Sequence, residues 1–156
     1  MSDDTNRNPD RPGAGPQEAR ADTQRDQLIG LAIAREAEFW RDLGGDTFAS
    51  VIEDGCPRHI RLRSEDGLKL LRRLWAAESC KRTGRVTSPN SQSLKDALGT
   101  LQMLASEGPV HQTFVRIGHA DGNIYVDLGD PTGRAVEITN KGWTVVPQPK
   151  VRFLRP

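Results

Sequence analysis

The sequence predicts an α+β fold: an N-terminal helix, a β-hairpin, two further helices, then a C-terminal antiparallel meander. Three observations carry this. Apolar residues recur at spacings of three and four over 24–42, from 65 to about 80, and over 88–106, which is the helical period. TFASVIED and RHIRLRS flank an Asp54-Gly55 turn signal between the first two of these stretches. From Thr113 onward the period falls to two, with turn residues between the runs.

Each element has a local reason. Residues 1–23 hold almost no large apolar side chains and several prolines and glycines, so they read as a disordered tail before a single domain over 24–156. Leu28, Leu31, Ala32, Arg35 and Phe39 mark the first helix, with Asp22 or Thr23 as its cap, Gly44-Gly45 as its stop and Trp40 packing it on the domain. In the hairpin's second strand Ile60 and Leu62 point one way, while His59, Arg61 and Arg63 form a basic stripe on the other side. Ser64 caps a helix with Leu68, Leu71, Leu74 and Trp75 on one face and Lys69, Arg72 and Arg73 opposite. That helix is expected to fail near Cys80, leaving KRTGRVT as a basic loop. Ser88-Pro89 reads as the next helix start, and Gly108-Pro109 as its end. FVRIGHA, NIYVDLGD, RAVEITN, GWTVVP and VRFLRP then supply four or five strands. Trp143, with Tyr125 and Phe153, is expected to be core rather than a stacking surface.

The 156 residues are 35% hydrophobic and 28% charged, and no run of ~18 apolar residues is present to span a membrane. The apolar stretch Leu28–Ala34 is too short and too far inside to be a signal peptide's apolar region. Two cysteines, Cys56 and Cys80, form neither a metal-ligand spacing nor a disulfide framework, which points to a reducing cytoplasm.

The net charge of +1 hides a block structure. Residues 1–57 carry six basic and twelve acidic side chains, whereas 58–85 carry nine basic and three acidic ones. The second block is a candidate phosphate-binding surface, with Arg61, Arg63, Lys69, Arg72, Arg73, Lys81, Arg82 and Arg85 as its residues. The alternative is that the basic block pairs with the acidic one inside the fold.

Catalytic motifs are missing. The chain has no GxxxxGK[ST], GxGxxG, HExxH or GxSxG. His119, Asp121, Asp127 and Asp130 gather around one hairpin, but aspartates beside glycines are turn formers first. Cys80 beside Lys81 and Arg82 has no histidine near it in sequence to make a catalytic thiol. A winged helix, built from 65–78 and 88–106, is disfavoured by the long connector and by a second helix with Lys95 as its lone base-reading cation.

The runs HIRLRSEDGLKLLRRLW, TSPNSQSLKDALGTLQMLA and FVRIGHADGNIYVDLGDPTGRAVEITNKGWTVVPQPKVRFLRP resemble the region preceding the P-loop ATPase domain in helicase-like ATP-binding proteins of phages and integrative elements. The likeness covers about residues 47–156, and its most specific piece runs from Gly142-Trp143 to Arg155-Pro156. In that family the ending leads into the ATPase, so no ATPase residue carries over. The resemblance implies a mobile-element replication context, and a P-loop ATPase in cis or in trans. The sequence therefore predicts a non-catalytic, cytoplasmic accessory module that needs no cofactor or metal and touches the phosphates of single-stranded or duplex DNA through the basic helix and loop. The alternative is a protein-interaction or structural module that docks a partner through the C-terminal sheet.

Overall fold

The computed structural model describes residues 23–35 and 37–155. The N-terminal tail expected over 1–23 lies, apart from Thr23, outside the described residues. The fold is α+β, and it holds two four-stranded sheets.

Helix α1 (Gln24–Ala34) opens with a reciprocal capping box, in which the Thr23 hydroxyl accepts from the Asp26 N–H and the Asp26 carboxylate reaches back to Thr23. It stops well short of the expected end at 42. Glu38–Asp42 is instead strand β1, antiparallel to β2 (Thr47–Glu53), and Trp40 belongs to that strand. No glycine or proline separates helix from strand, so the switch comes from pairing with β2 and from the strand preference of Phe39 and Trp40. Asp54 and Gly55 both have positive φ, 51° and 78°, and close a two-residue hairpin to β3 (Cys56–Arg61).

Ser64 caps helix α2 (Glu65–Thr83), which runs past Cys80 and ends on Gly84 in the left-handed region. Lys81 and Arg82 are therefore the last helical turn, suited to the negative end of the helix dipole, and not a loop. Helix α3 (Ser91–Glu107) begins later than Ser88-Pro89 predicts. Its cap is Asn90, whose side-chain oxygen accepts from the Ser93 N–H at 2.7 Å.

Helices α2 and α3 pack on one face of the first sheet, ordered β3-β2-β1-β4, and α1 packs against both helices; β4 (Val110–His111) lies parallel to β1. Ala49, Val51 and Ile60 from the sheet meet Leu28, Leu71 and Leu101 from the helices in the larger core. A Cβ on Gly67 would stand 2.5 Å from the Leu62 carbonyl oxygen, so only glycine lets α2 start this close to the sheet.

The meander is β6 (Ile117–Ala120), β7 (Asn123–Asp127), β8 (Ala135–Thr139) and β9 (Gly142–Val146), paired in chain order. VRFLRP is not its fifth strand. Arg152–Phe153 (β10) pairs parallel with β5 (Thr113–Phe114), in a small sheet beside the meander. Tyr125 and Ala135 of the meander's inner face pack with Val151 and Phe153 in a second, smaller core.

Candidate interaction surface

The two faces of the meander follow from strand alternation. Directly paired residues share a face, so the register Ile124↔Ile138↔Trp143 places these three side by side, and Val126↔Val136↔Val145 forms a second row on the same side. Ile117 and His119 of β6 continue the two rows. This side faces solvent. Trp143 is 72% exposed and Ile117 64%, with Ile124, Ile138, Val145 and neighbouring Leu128 also exposed. The expectation that Trp143 is core is wrong: its strand is the sheet's edge, and nothing among the described residues covers the side to which it points.

The covered side carries the more polar residues. Tyr125 is buried and donates from its hydroxyl to Glu137 at 2.6 Å, and Asn123 donates to the same carboxylate at 3.0 Å. Those two hydrogen bonds hold the Glu137 carboxyl below its ordinary range. Asp127, also buried, is gripped by Arg155 and takes the Arg116 carbonyl through its own N–H. Each buried polar group here has a partner, so this side can close although it is less apolar than the open one.

Three of the expected DNA-contacting residues, Arg61, Lys69 and Arg73, are engaged in ion pairs. Arg61 lies 3.3 Å from Asp46 and its guanidinium sits over the Phe48 ring. Arg73 pairs with Glu53 at 2.6 Å, a carboxylate shared with Arg58, and Lys69 pairs with Asp66 one turn away. Arg63, Arg72, Lys81, Arg82 and Arg85 are exposed and make no ion pair among the described residues. At 3.6 residues per turn, Arg72 and Lys81 lie about 180° apart around α2. Arg82 lines a groove between α1 and α2 beside Asp26 and Glu78.

Among the described residues no three of His, Cys, Asp and Glu gather to hold a metal. Around the β6–β7 hairpin, Asp121 pairs with Lys150 and Asp130 with Arg134, while Asp127 holds Arg155. The Arg134 hydrogen bond brings the Asp130 carboxyl down to about 2.

Sequence reasoning missed a polar cluster on the first sheet's second face. Trp40 is fully buried there, stacked on Phe48 at 4.5 Å, with the Arg152 guanidinium 4.6 Å from its ring centre. Arg152 also binds both Glu38 oxygens and donates to Ser50, and so ties the last strand to the first sheet. Ser50 accepts from the Trp40 indole at 2.7 Å and lies 2.8 Å from His59 Nδ1. A serine beside a histidine has the look of a nucleophile with its base. Here both lone pairs of the hydroxyl are taken by the Trp40 and Arg152 donors, so Ser50 fastens the junction instead. Burial pushes His59 down to about 4, with the Arg152 charge adding to it. His59 therefore leaves the solvent-facing stripe in which the sequence placed it; Arg61 and Arg63 stay exposed. The alternation on β3 showed the shared side, but nothing local could reveal a lid arriving from Arg152.

No family model matches the chain, and neither a curated protein nor a solved structure matches it.

Proposed function

We propose that this chain is a non-catalytic docking module that engages a protein partner through the outer face of its C-terminal sheet. One observation carries the reading: the meander turns its more apolar side outward, with Trp143 at 72% exposure, while its inner side buries Tyr125 and Asp127. Isolated exposed apolar residues are ordinary, but a contiguous apolar sheet face is the mark of an interaction site. The pairing of Arg61 with Asp46 and of Arg73 with Glu53 supports the same reading, because it joins the basic block to the acidic one inside the fold.

The test is photo-crosslinking in the native cells from a benzophenone amino acid at position 143, with position 72 as the comparison. The docking reading expects protein adducts from 143 and few from 72. Nucleic-acid adducts from 72 with none of any kind from 143 would overturn it.

Phosphate contact, in the mobile-element setting that the family resemblance implies, is the second reading. It draws on Arg63, Arg72, Lys81, Arg82 and Arg85, which have no ion pair among the described residues. Each phosphate contact on duplex DNA contributes about −0.9 to the slope of log affinity against log salt. Since Arg72 and Lys81 lie on opposite sides of α2, that reading expects a slope shallower than about −4 in fluorescence anisotropy. It fails if Arg72→Glu with Arg73→Glu leaves the affinity unchanged, or if no oligonucleotide binds at low salt.

A further inference from the structure

We infer that the occupant of this outer face is a second copy of the chain, laid face to face across a two-fold axis parallel to the strands. The inference rests on the docking reading and names its partner. Two features of the face select it.

The first is charge. No Asp, Glu, Lys or Arg occupies an outward position of the four strands; the positions hold isoleucine, valine, tryptophan and His119. A charged partner finds no counter-charge there, and two copies meet without like-charge repulsion. The second is symmetry. One row across the sheet reads His119, Ile124, Ile138, Trp143, and the other Ile117, Val126, Val136, Val145. A two-fold axis running between β7 and β8 reverses the strand order, so β6 lies over β9 of the second copy and β7 over β8. Ile124 then meets Ile138 of the second copy, Val126 meets Val136 and Ile117 meets Val145. At the row ends the Trp143 indole comes over the backbone position of His119, whose ring rests edge-on against Phe114 at 5.5 Å and leaves room for it. Each row is its own complement, as a two-fold contact requires.

The geometry is that of two sheets stacked ~10 Å apart with strands about 30° off parallel. The area bounds the class of interface. An aromatic side chain presents ~150–250 Å², so Trp143 at its 72% exposure is the largest single contributor. Even so, a face of four short strands falls under the ~800 Å² per partner of a standard interface. An interface that small belongs to the weak, transient class, and the dimer dissociates at roughly ten to a hundred micromolar.

Sedimentation velocity on the full chain across a wide concentration range tests this. Wild type shows a concentration-dependent monomer–dimer equilibrium. Ile124→Lys and Ile138→Glu each bury an unpaired charge in the dimer and weaken association on the order of a hundredfold. Both positions are exposed, so circular dichroism stays native. Mixing the two variants sets the introduced lysine of one copy against the introduced glutamate of the other, and the remaining Ile138 against the remaining Ile124. The mixture therefore associates on the order of tenfold more tightly than either variant alone. A wild type that stays monomeric to several hundred micromolar overturns the second copy as the occupant, and so does a dimer that neither substitution weakens. Crosslinks from position 143 to a different protein would then leave the docking reading standing, and their absence would end it as well.

Discussion

The molecule holds two four-stranded sheets, each with a tryptophan on a strand, and the two tryptophans end in opposite surroundings. Trp40 sits at 0% exposure between Phe48, His59, His111 and the Arg152 guanidinium; Trp143 stands 72% exposed at the edge of the meander. The first sheet has helices on one side and a lid from the C-terminal segment on the other. The second has its inner side filled, and no described residue covers its outer side. Residue type is the same, but Trp40 lies on an inner strand and Trp143 on an edge strand, and a segment arrives to cover only the first ring. A sheet covered on one side only has room for a further layer.

The largest expected effect breaks this comparison at its strongest point. Trp40→Ala should cost about 3–5 kcal/mol in urea unfolding, the range for a deleted core tryptophan. A cost under ~1 kcal/mol would show that the lid does not hold the ring.

The pH dependence comes next. His59 has a folded pKa of about 4, below its ordinary 6.5, so between those values the unfolded chain binds the extra proton. Stability is full above about pH 6.5 and falls as the pH drops toward 4, by ~3 kcal/mol at most at 1.36 kcal/mol per unit. Burial raises Glu38, but hydrogen bonds from and the charge of Arg152, with His111 beside it, leave it lowered overall. Its share disappears at still lower pH, in the same direction. Thermal unfolding of wild type and His59→Gln across this range checks the assignment, since the variant should lose the upper part of the slope.

Arg152→Met should cost about 2 kcal/mol, the scale of lost hydrogen bonds between charged groups. It should also speed amide exchange in β10 and β5 while leaving the three helices protected. Uniform loosening of the whole chain would mean that Arg152 is not a local fastener. The smallest effect belongs to the other sheet: Trp143→Ala should change monomer stability by under ~0.5 kcal/mol, as for other exposed side chains.

The sequence was legible where geometry is local. Asp54-Gly55 and Asp121-Gly122 both take positive φ, and both hairpins form as their turn residues predict. The apolar faces of α2 and α3 were readable for the same reason. Where partners are distant, local signals fail. Glu38–Asp42 continues a helical spacing and becomes a strand because β2 pairs with it. VRFLRP alternates like a meander strand, yet Arg152 and Phe153 pair parallel with Thr113 and Phe114, far back in the chain. The meander is the most instructive case. Of the three aromatics expected in the core, Tyr125 and Phe153 are buried and Trp143 is exposed, because the register puts it on the side opposite Tyr125. The inner side closes because Glu137 and Asp127 find Tyr125 and Arg155. The cationic set was visible as composition only, because charge counts do not show that Asp46 and Glu53 lie beside Arg61 and Arg73.

An outer sheet face left open in the single chain is read out by acrylamide quenching of tryptophan fluorescence at sub-micromolar protein, below self-association. Wild type and Trp143→Phe are compared. The substitution should remove the red-shifted, strongly quenched component and leave the emission of the buried Trp40 and Trp75 nearly unquenched. Equal quenching in the two proteins, with a blue-shifted component lost instead, would contradict it.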